Sequence, residues 1–424
     1  MPRSVCIEAA LQLTTERFAA ELSQPSGQAP AWSEFEWTMA RAAAVIHGVT
    51  PLLANLPGWR EPQHWHQFVT QQRHHTALRA ERLAGALALI DEEARRAMLP
   101  VLALKGSALY ALGLYPDAER PMADIDLLVA PENVKRVRGL LERLAFREVS
   151  KSLRHRVFVE ASAPPGGQPP DPPYGERAGA TLKVELHRHI AECFPGREVD
   201  ITGWLWPRER HPGVNPYSSL PALMGHLLLH AAGNMANLGL RLIHLHDIAL
   251  LARRMRAVDW DMLLEQRIAH RRPWWALPPL ELVARYYPDH IPGAVLAALR
   301  PLCPRRLRKQ ALRRRISDFS YSTPTLQAFP ALPWALSFTD QLAYMRSRVW
   351  PNAETLRLRA IGSRETWARG NPWRQQSQGR QILHWLLARP LRPASMFLVR
   401  AAMADQAARA GQSPPGLDAQ TGIV

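Results

Sequence analysis

The fold is decided by Leu104-Lys105-Gly106-Ser107, followed after a short loop by Met122-Ala123-Asp124-Ile125-Asp126-Leu127-Leu128-Val129. Successive side chains of a β-strand point to opposite faces, so Asp124 and Asp126 share one face while Ile125 turns into the core. Two adjacent carboxylates repel each other, and a divalent cation between them removes that repulsion. An isolated Asp-x-Asp is more often a solvated edge strand, but the apolar run here and the Gly-Ser turn upstream favour a metal site.

Length, charge and cysteine content narrow the class of protein. The chain has 424 residues, 47% of them hydrophobic, and a formal net charge of +16. The length predicts two or three domains, and the charge favours an anionic partner such as a nucleotide, nucleic acid or membrane surface, although an arginine-rich composition alone would also produce it. Three scattered cysteines exclude a disulfide framework or zinc site. With no signal-like N-terminus and no apolar run of about 18 residues, we expect a cytoplasmic protein without a transmembrane segment.

Hydrophobic periodicity predicts an α+β fold, in which short strands and helices alternate in the first half of the chain and the C-terminal region is mainly helical. Short strands are expected at Val101–Lys105, around Asp124 and Asp126, at Phe146–Ser150, at Arg156–Ser162 and at Thr181–His187. The predicted parts are an N-terminal helical extension (1–78), a core that contains the strands (79–207), a helical domain (208–410) and a disordered tail (411–424).

A Pro/Gly-rich insertion at 163–179 interrupts the core and is expected to be a mobile loop. The strands on either side of it read as a hairpin with a lengthened tip. In the second of these strands Val184 points to the core, while Lys183, Glu185 and His187 share the polar side. Glu185 is therefore a candidate third carboxylate, with an exposed hairpin acid as the alternative.

The order of strand, Gly-Ser turn, helix, paired aspartates and a further acid suits phosphoryl transfer. Backbone N–H groups at Gly106 and Ser107, near a helix N-terminus, can hold phosphate oxygens. Lys105 and Arg120 would stabilise negative charge on the phosphates. Their structural alternatives are a solvated strand end for Lys105 and an ion pair with one of the two aspartates for Arg120.

These motifs resemble the polymerase-β-type minimal nucleotidyltransferases, and more narrowly an uncharacterised bacterial nucleotidyltransferase family. The resemblance covers residues 80–255. It rests on Lys-Gly-Ser, on Asp-Ile-Asp-Leu-Leu-Val at 124–129 and on Glu-Leu-His at 185–187. It implies a small mixed sheet flanked by helices, a helical domain closing over an NTP, and Mg²⁺ (or Mn²⁺) held by Asp124, Asp126 and Glu185. The long insertion before Glu185 departs from the family pattern.

The residues together predict transfer of an NMP from an NTP to an acceptor hydroxyl, with release of pyrophosphate. The acceptor could be a small molecule, a peptide, a protein or an RNA 3′ end. The alternative function is a catalytically silent protein on the same fold that binds nucleic acid or an anionic surface. The basic segment Arg305–Arg315 could contact nucleic acid, although such a run is more often a solvated helix face.

Four histidines and Asp247 have more than one interpretation. For His187 a structural or surface role is favoured over a role in the chemistry. His230 is interpreted as a core histidine rather than a metal ligand. His244 and His246 point to different sides of a helix, which argues against a metal cluster. Asp247 either contacts the nucleotide or caps a neighbouring helix.

Overall fold

The structure is a computed structural model that describes residues 4–60, 62–116, 118–151, 155–162, 175–268, 270–322, 327–352, 356, 377–387 and 396–409. Most of the predicted mobile insertion (163–174) and the predicted disordered tail lie outside these residues. None of the helices it describes combines the length and the apolar run that a bilayer crossing requires.

The described helices and strands follow one another in a mixed order. They are α1 (Ser4–Ser23), α2 (Glu34–His47), α3 (Thr50–Leu53), α4 (Gln63–Arg96), β1 (Pro100–Ala103), α5 (Lys105–Ala111), β2 (Ile125–Leu128), α6 (Val134–Arg143), β3 (Phe146–Lys151), β4 (His155–Glu160), β5 (Lys183–His187), β6 (Ala191–Phe194), β7 (Arg197–Asp200), α7 (Thr202–Leu205), β8 (Gly213–Asn215), α8 (Leu220–Ala236), α9 (Leu242–Ala252), α10 (Ala257–Glu265), α11 (Leu277–Tyr286), α12 (Gly293–Leu299), α13 (Arg305–Arg313), α14 (Phe338–Val349), α15 (Gln378–Leu387) and α16 (Met396–Arg409).

A six-stranded mixed sheet lies at the centre, in the order β3-β4-β5-β2-β1-β8. The pairs β2–β5 and β1–β8 are parallel, and the remaining pairs are antiparallel. Strands β6 and β7 form a separate two-stranded sheet. The predicted α+β class with a small mixed sheet and a helical C-terminal region is confirmed, and β4 and β5 form the predicted hairpin.

The two faces of the large sheet have different partners. Ile125, Val184 and Phe158 point to one face, where they pack against apolar residues of α4 and α6. Leu102 and Leu128 point to the other face and join the helical core. Since Asp126 lies between Ile125 and Leu127 in β2, its side chain points to that helical side of the sheet.

Local sequence explains where several helices begin and end. Ser33 and Glu36 form a capping box at the start of α2, and Gly48 ends that helix in the left-handed conformation at φ +65°. The side chain of Ser219 caps α8, with Pro221 in its first turn.

Several boundaries of helices and strands differ from the predicted ones. Helix α5 begins at Lys105, which was predicted to end the strand before it, and β2 begins at Ile125, so Asp124 lies just before the strand. The domain boundary predicted between residues 78 and 79 falls inside α4, and β8, which completes the sheet, follows the boundary predicted at 207. The four-part division stays a prediction.

Candidate nucleotidyl-transfer site

Two carboxylates sit opposite each other on adjacent strands. Asp126 of β2 and Glu185 of β5 are direct partners in the parallel register. Both side chains are largely buried, with exposed fractions of 9% and 16%. Asp124 precedes Asp126 by two residues and lines the same cavity. The structure therefore brings together all three carboxylates that the sequence predicted, because the alternation of β5 places Glu185 on the site face.

Two lysine ammonium groups neutralise these carboxylates. The Lys105 Nζ atom lies 3.3 Å from Asp126 Oδ2. Lys183 Nζ lies 3.4 Å from Asp124 Oδ2 and also forms an ion pair with Glu185. Burial alone would lower the pKa of both lysines, but the neighbouring carboxylates outweigh it and raise the pKa of each. Both lysines therefore stay charged.

The two aspartates have different electrostatic surroundings. Burial, joined by the charge of Asp126, raises the pKa of Asp124. Burial acts in the same direction on Asp126, but Lys105 and a hydrogen bond from His187 hold the pKa of Asp126 well below its ordinary value. Of the two aspartates, Asp126 is thus the one more firmly held in its ionised form.

His187 belongs to the site, although sequence reasoning favoured a structural or surface role. Its Nε2 atom lies 2.8 Å from Asp126 Oδ1, and the same nitrogen lies 3.7 Å from Glu185 Oε2. The ring of His155, on the neighbouring strand β4, lies 5.3 Å from the His187 ring. The available signal was the polar side of β5, which carries Lys183, Glu185 and His187 together.

Asp126, Glu185 and His187 can each offer one ligand atom to a metal ion. These atoms all lie within 4.8 Å of one another. Carboxylate oxygens suit Mg²⁺ and Mn²⁺, and an imidazole nitrogen is a better ligand for Mn²⁺ than for Mg²⁺. The donor set is therefore compatible with a divalent cation.

Arg120 forms a buried ion pair, but with a partner that the sequence did not suggest. Its Nε and Nη2 atoms each donate to one carboxylate oxygen of Asp247 at 2.8 Å. The Tyr115 hydroxyl donates to the same carboxylate at 2.6 Å. Asp247 of α9 therefore ties the loop before β2 to the helical region, and both ends of the pair line the cavity.

The turn after β1 is shaped by close contacts. Lys105 has a positive φ of 44°, and its backbone N–H donates to the Tyr217 hydroxyl, which contacts His226. A Cβ atom on Gly106 would lie 2.4 Å from Arg120 Nη1 and 2.6 Å from Met122 Sδ. Glycine is therefore required here for Arg120 and Met122 to pack. Ser107 lines a separate cavity between α4 and α5, so its predicted phosphate contact remains a prediction.

The three carboxylates and Lys105 line a cavity of about 250 Å³. Its opposite wall comes from α8, α9 and the residue before α9, namely Leu227, His230, Arg241, Ile243 and His244. His230, interpreted from the sequence as a core residue, therefore reaches the cavity. His246 points elsewhere, toward Tyr115 and Tyr287, as predicted from its separation from His244.

The comparisons with known proteins agree with this geometry. The model of one family, described as uncharacterised nucleotidyltransferase, matches residues 33–287. No curated protein and no solved structure is significantly similar to the chain. The matched region contains the complete sheet, the carboxylates and the Arg120–Asp247 pair. Because the match covers more than half of the chain, this protein belongs to the uncharacterised nucleotidyltransferase family.

Proposed function

We propose that this protein transfers an NMP unit from an NTP to a hydroxyl group of an acceptor and releases pyrophosphate. The observation that carries this proposal is the pairing of Asp126 with Glu185 on adjacent parallel strands, with Asp124 beside them, in a member of a nucleotidyltransferase family. The complete carboxylate set supports a catalytic rather than a silent member.

The proposed cofactor is Mg²⁺, with Mn²⁺ as the alternative, held by Asp124, Asp126 and Glu185. The ammonium groups of Lys105 and Lys183 lie against these same carboxylates, which supports a site built to bind positive charge. When bound, the ion would polarise phosphate oxygens as a Lewis acid. His187 would hold Asp126 in place through their 2.8 Å contact.

The chain's own residues would orient the reactants and move the proton. Asp126 or Glu185 would accept the proton of the attacking hydroxyl. Lys105 and the backbone N–H groups of Gly106 and Ser107 would contact the phosphates, and Lys105 would stabilise the charge of the leaving pyrophosphate. Arg120, oriented by Asp247, would add a fixed positive charge at the same end of the cavity.

The proposed acceptor is a molecule with a free hydroxyl group. A small metabolite, a peptide, a protein or an RNA 3′ end each provides a hydroxyl. Helix α13 buries Leu307 and Ala311 and exposes Arg305, Lys309 and Arg313. We propose that Arg305–Arg315 contacts nucleic acid if the acceptor is RNA, and we place the reaction in the cytoplasm.

The test is incubation of the purified chain with each α-labelled NTP, Mg²⁺ and a lysate, followed by identification of the labelled product. We expect Asp126→Asn to abolish labelling while Glu132→Gln, an exposed acid at the start of the helical turn before α6, retains it. Labelling that survives Asp126→Asn contradicts the proposal. No labelling by the wild type, together with strong and steeply salt-dependent RNA binding, would favour the silent binding protein.

A further inference from the structure

The wall of the cavity that faces the carboxylates has no role in the reaction described above. It contains two histidines and an arginine from the helical region, together with two apolar side chains. His230 and His244 lie with their ring centres 4.9 Å apart in an edge-to-face arrangement. What this wall can bind depends on which ring nitrogens carry a proton.

The hydrogen bonds of His230 fix its proton on Nδ1. The Asn234 side-chain Nδ2 donates to the His230 carbonyl at 2.8 Å and to its ring Nε2 at 3.2 Å. An amide nitrogen can only donate, so Nε2 is an acceptor. Burial lowers the pKa of His230 to about 3, so the ring is neutral and carries its one proton on Nδ1.

The hydrogen bonds of His244 fix its proton on the other nitrogen. The backbone N–H of Arg241 donates to His244 Nδ1 at 3.3 Å. Burial, together with the charges around it, lowers the pKa of His244 well below its ordinary value. The neutral ring therefore carries its proton on Nε2. In the part of the chain that the structure describes, neither His230 Nδ1 nor His244 Nε2 has an acceptor.

Arg241 adds a cation to the same wall. Its Nε donates to the carbonyl of Ile46 at 2.9 Å, and its guanidinium passes over Gly48, where a Cβ atom would lie 2.1 Å from Nη2. No carboxylate of the described residues lies within ion-pair distance of it. This arginine is thus held in place at the cavity with its terminal N–H groups available.

The named side chains of this wall offer N–H donors and a positive charge. The carboxylate of Asp247, which also reaches the cavity from α9, already accepts from Arg120 and Tyr115. Such a wall selects a ligand that presents acceptors. We propose that His230, Arg241 and His244 bind the β- and γ-phosphates of the NTP from the helical side of the cavity, while Lys105 and the turn at Gly106 contact the same phosphates from the sheet side. The assignment rests on the proposed function. A base presents donors as well as acceptors, whereas a phosphate chain presents only oxygens. The cavity volume of about 250 Å³ lies below the range of roughly 300–1,000 Å³ of drug-sized pockets, which suits a phosphate chain.

The test uses the full chain and inorganic tripolyphosphate with Mg²⁺, measured by isothermal titration calorimetry. Arg241→Met and the double variant His230→Leu/His244→Leu are expected to raise the Kd by about tenfold or more, the usual effect of losing charge-assisted hydrogen bonds. His230→Asn and His244→Gln each keep an N–H near the original donor and should recover most of the affinity. Arg254→Met, an exposed arginine beyond α9, is the control for net charge.

Thermal melts of each variant show whether it is folded. Wild-type affinity in both Arg241→Met and the double leucine variant, or no binding of tripolyphosphate by the wild type, overturns the assignment. If the variants lose affinity as expected but no NTP labels any acceptor, the phosphate site stands and nucleotidyl transfer fails. If transfer occurs and the variants bind tripolyphosphate normally, the transfer function stands and this phosphate site fails.

Discussion

Lys183 lies where a bound cation would compete with it. Its ammonium group contacts both Asp124 and Glu185, so an ion that binds these carboxylates must displace it. We therefore expect Lys183→Met to bind Mn²⁺ more tightly than the wild type when no nucleotide is present. Equilibrium dialysis with electron paramagnetic resonance of free Mn²⁺ measures this. Lys135→Met, at an exposed position of α6, should leave Mn²⁺ affinity unchanged. Equal or weaker binding by Lys183→Met would contradict the expectation.

The Arg120–Asp247 pair predicts a stability effect. Both side chains are nearly inaccessible, at 10% and 3% exposed. Asp247→Asn leaves the buried guanidinium without its counter-charge, and breaking such a pair costs about 3–5 kcal/mol of unfolding free energy. Urea unfolding should show this loss, and Arg120→Met/Asp247→Leu should recover part of it.

A matched comparison comes from the exposed pair Arg138–Glu142. Glu142→Gln should leave the urea midpoint almost unchanged, because solvent screens that pair. If Asp247→Asn is as mild as Glu142→Gln, the buried pair does not hold the loop before β2 to α9.

At the scale of the element, the turn between β1 and α5 depends on a glycine, Gly106, which has no side chain. Gly106→Ala would place a methyl group against Arg120 and Met122, and overpacking of this kind costs about 1–3 kcal/mol. We expect a lower melting temperature and weaker labelling from NTP. Gly85→Ala, in the exposed interior of α4 with open space around it, should instead raise stability by about 0.5–1 kcal/mol. A stable, fully active Gly106→Ala would show that the turn tolerates a side chain.

Much of the sheet could be predicted because its strands carry local patterns. The alternation of β5 identified both its buried side and the side with Glu185, and the apolar run around Asp126 identified β2. The short edge strand β8 (Gly213–Asn215) was not predicted, since three residues carry no periodicity.

Contacts between residues far apart in the chain could not be predicted from local sequence patterns. Arg120 and Asp247 were both singled out from the sequence, but nothing local indicates that residues so far apart in the chain pair with each other. The phosphate role of Ser107 was inferred from its motif alone, and the direction of its side chain depends on where α5 begins. His187 was undervalued because its partner, Asp126, lies on another strand.

At the scale of the whole molecule, buried neutral histidines make stability depend on pH. His246 hydrogen bonds to Tyr287, and burial lowers the pKa of His246 to about 4. Its unfolded pKa is about 6.5, so between these values the unfolded state binds more protons than the folded state. Stability is therefore full above about pH 6.5 and falls as the pH drops toward 4, with up to about 3 kcal/mol from this residue.

Urea unfolding at pH 7, 6, 5 and 4 measures this effect. His246→Phe should show a shallower decline than the wild type over this range. Burial also lowers the pKa of His47 to about 3. Because His47 remains in the variant, some decline in stability with falling pH should persist. Parallel curves for the two proteins would show that His246 does not contribute.

The core and the helical region should not fold separately. A fragment of residues 63–207 keeps α4 and five strands of the large sheet but lacks β8, Asp247 and the helices that cover Leu102 and Leu128. We expect this fragment to give a poorly dispersed proton–nitrogen spectrum, in contrast to the full chain. A dispersed spectrum would identify the core as an independent domain.

The late position of β8 has a consequence for synthesis. Strand β1 pairs with β2 on one side and with β8 on the other, and β8 is translated more than a hundred residues after β1. A nascent chain on the ribosome therefore holds its acidic cluster in a sheet with an open edge until residues 213–215 emerge. The same chain keeps the Arg120 charge unpaired until residue 247 emerges. The proposed transfer activity would thus begin only after residues 213–215 and residue 247 have both been translated and have emerged.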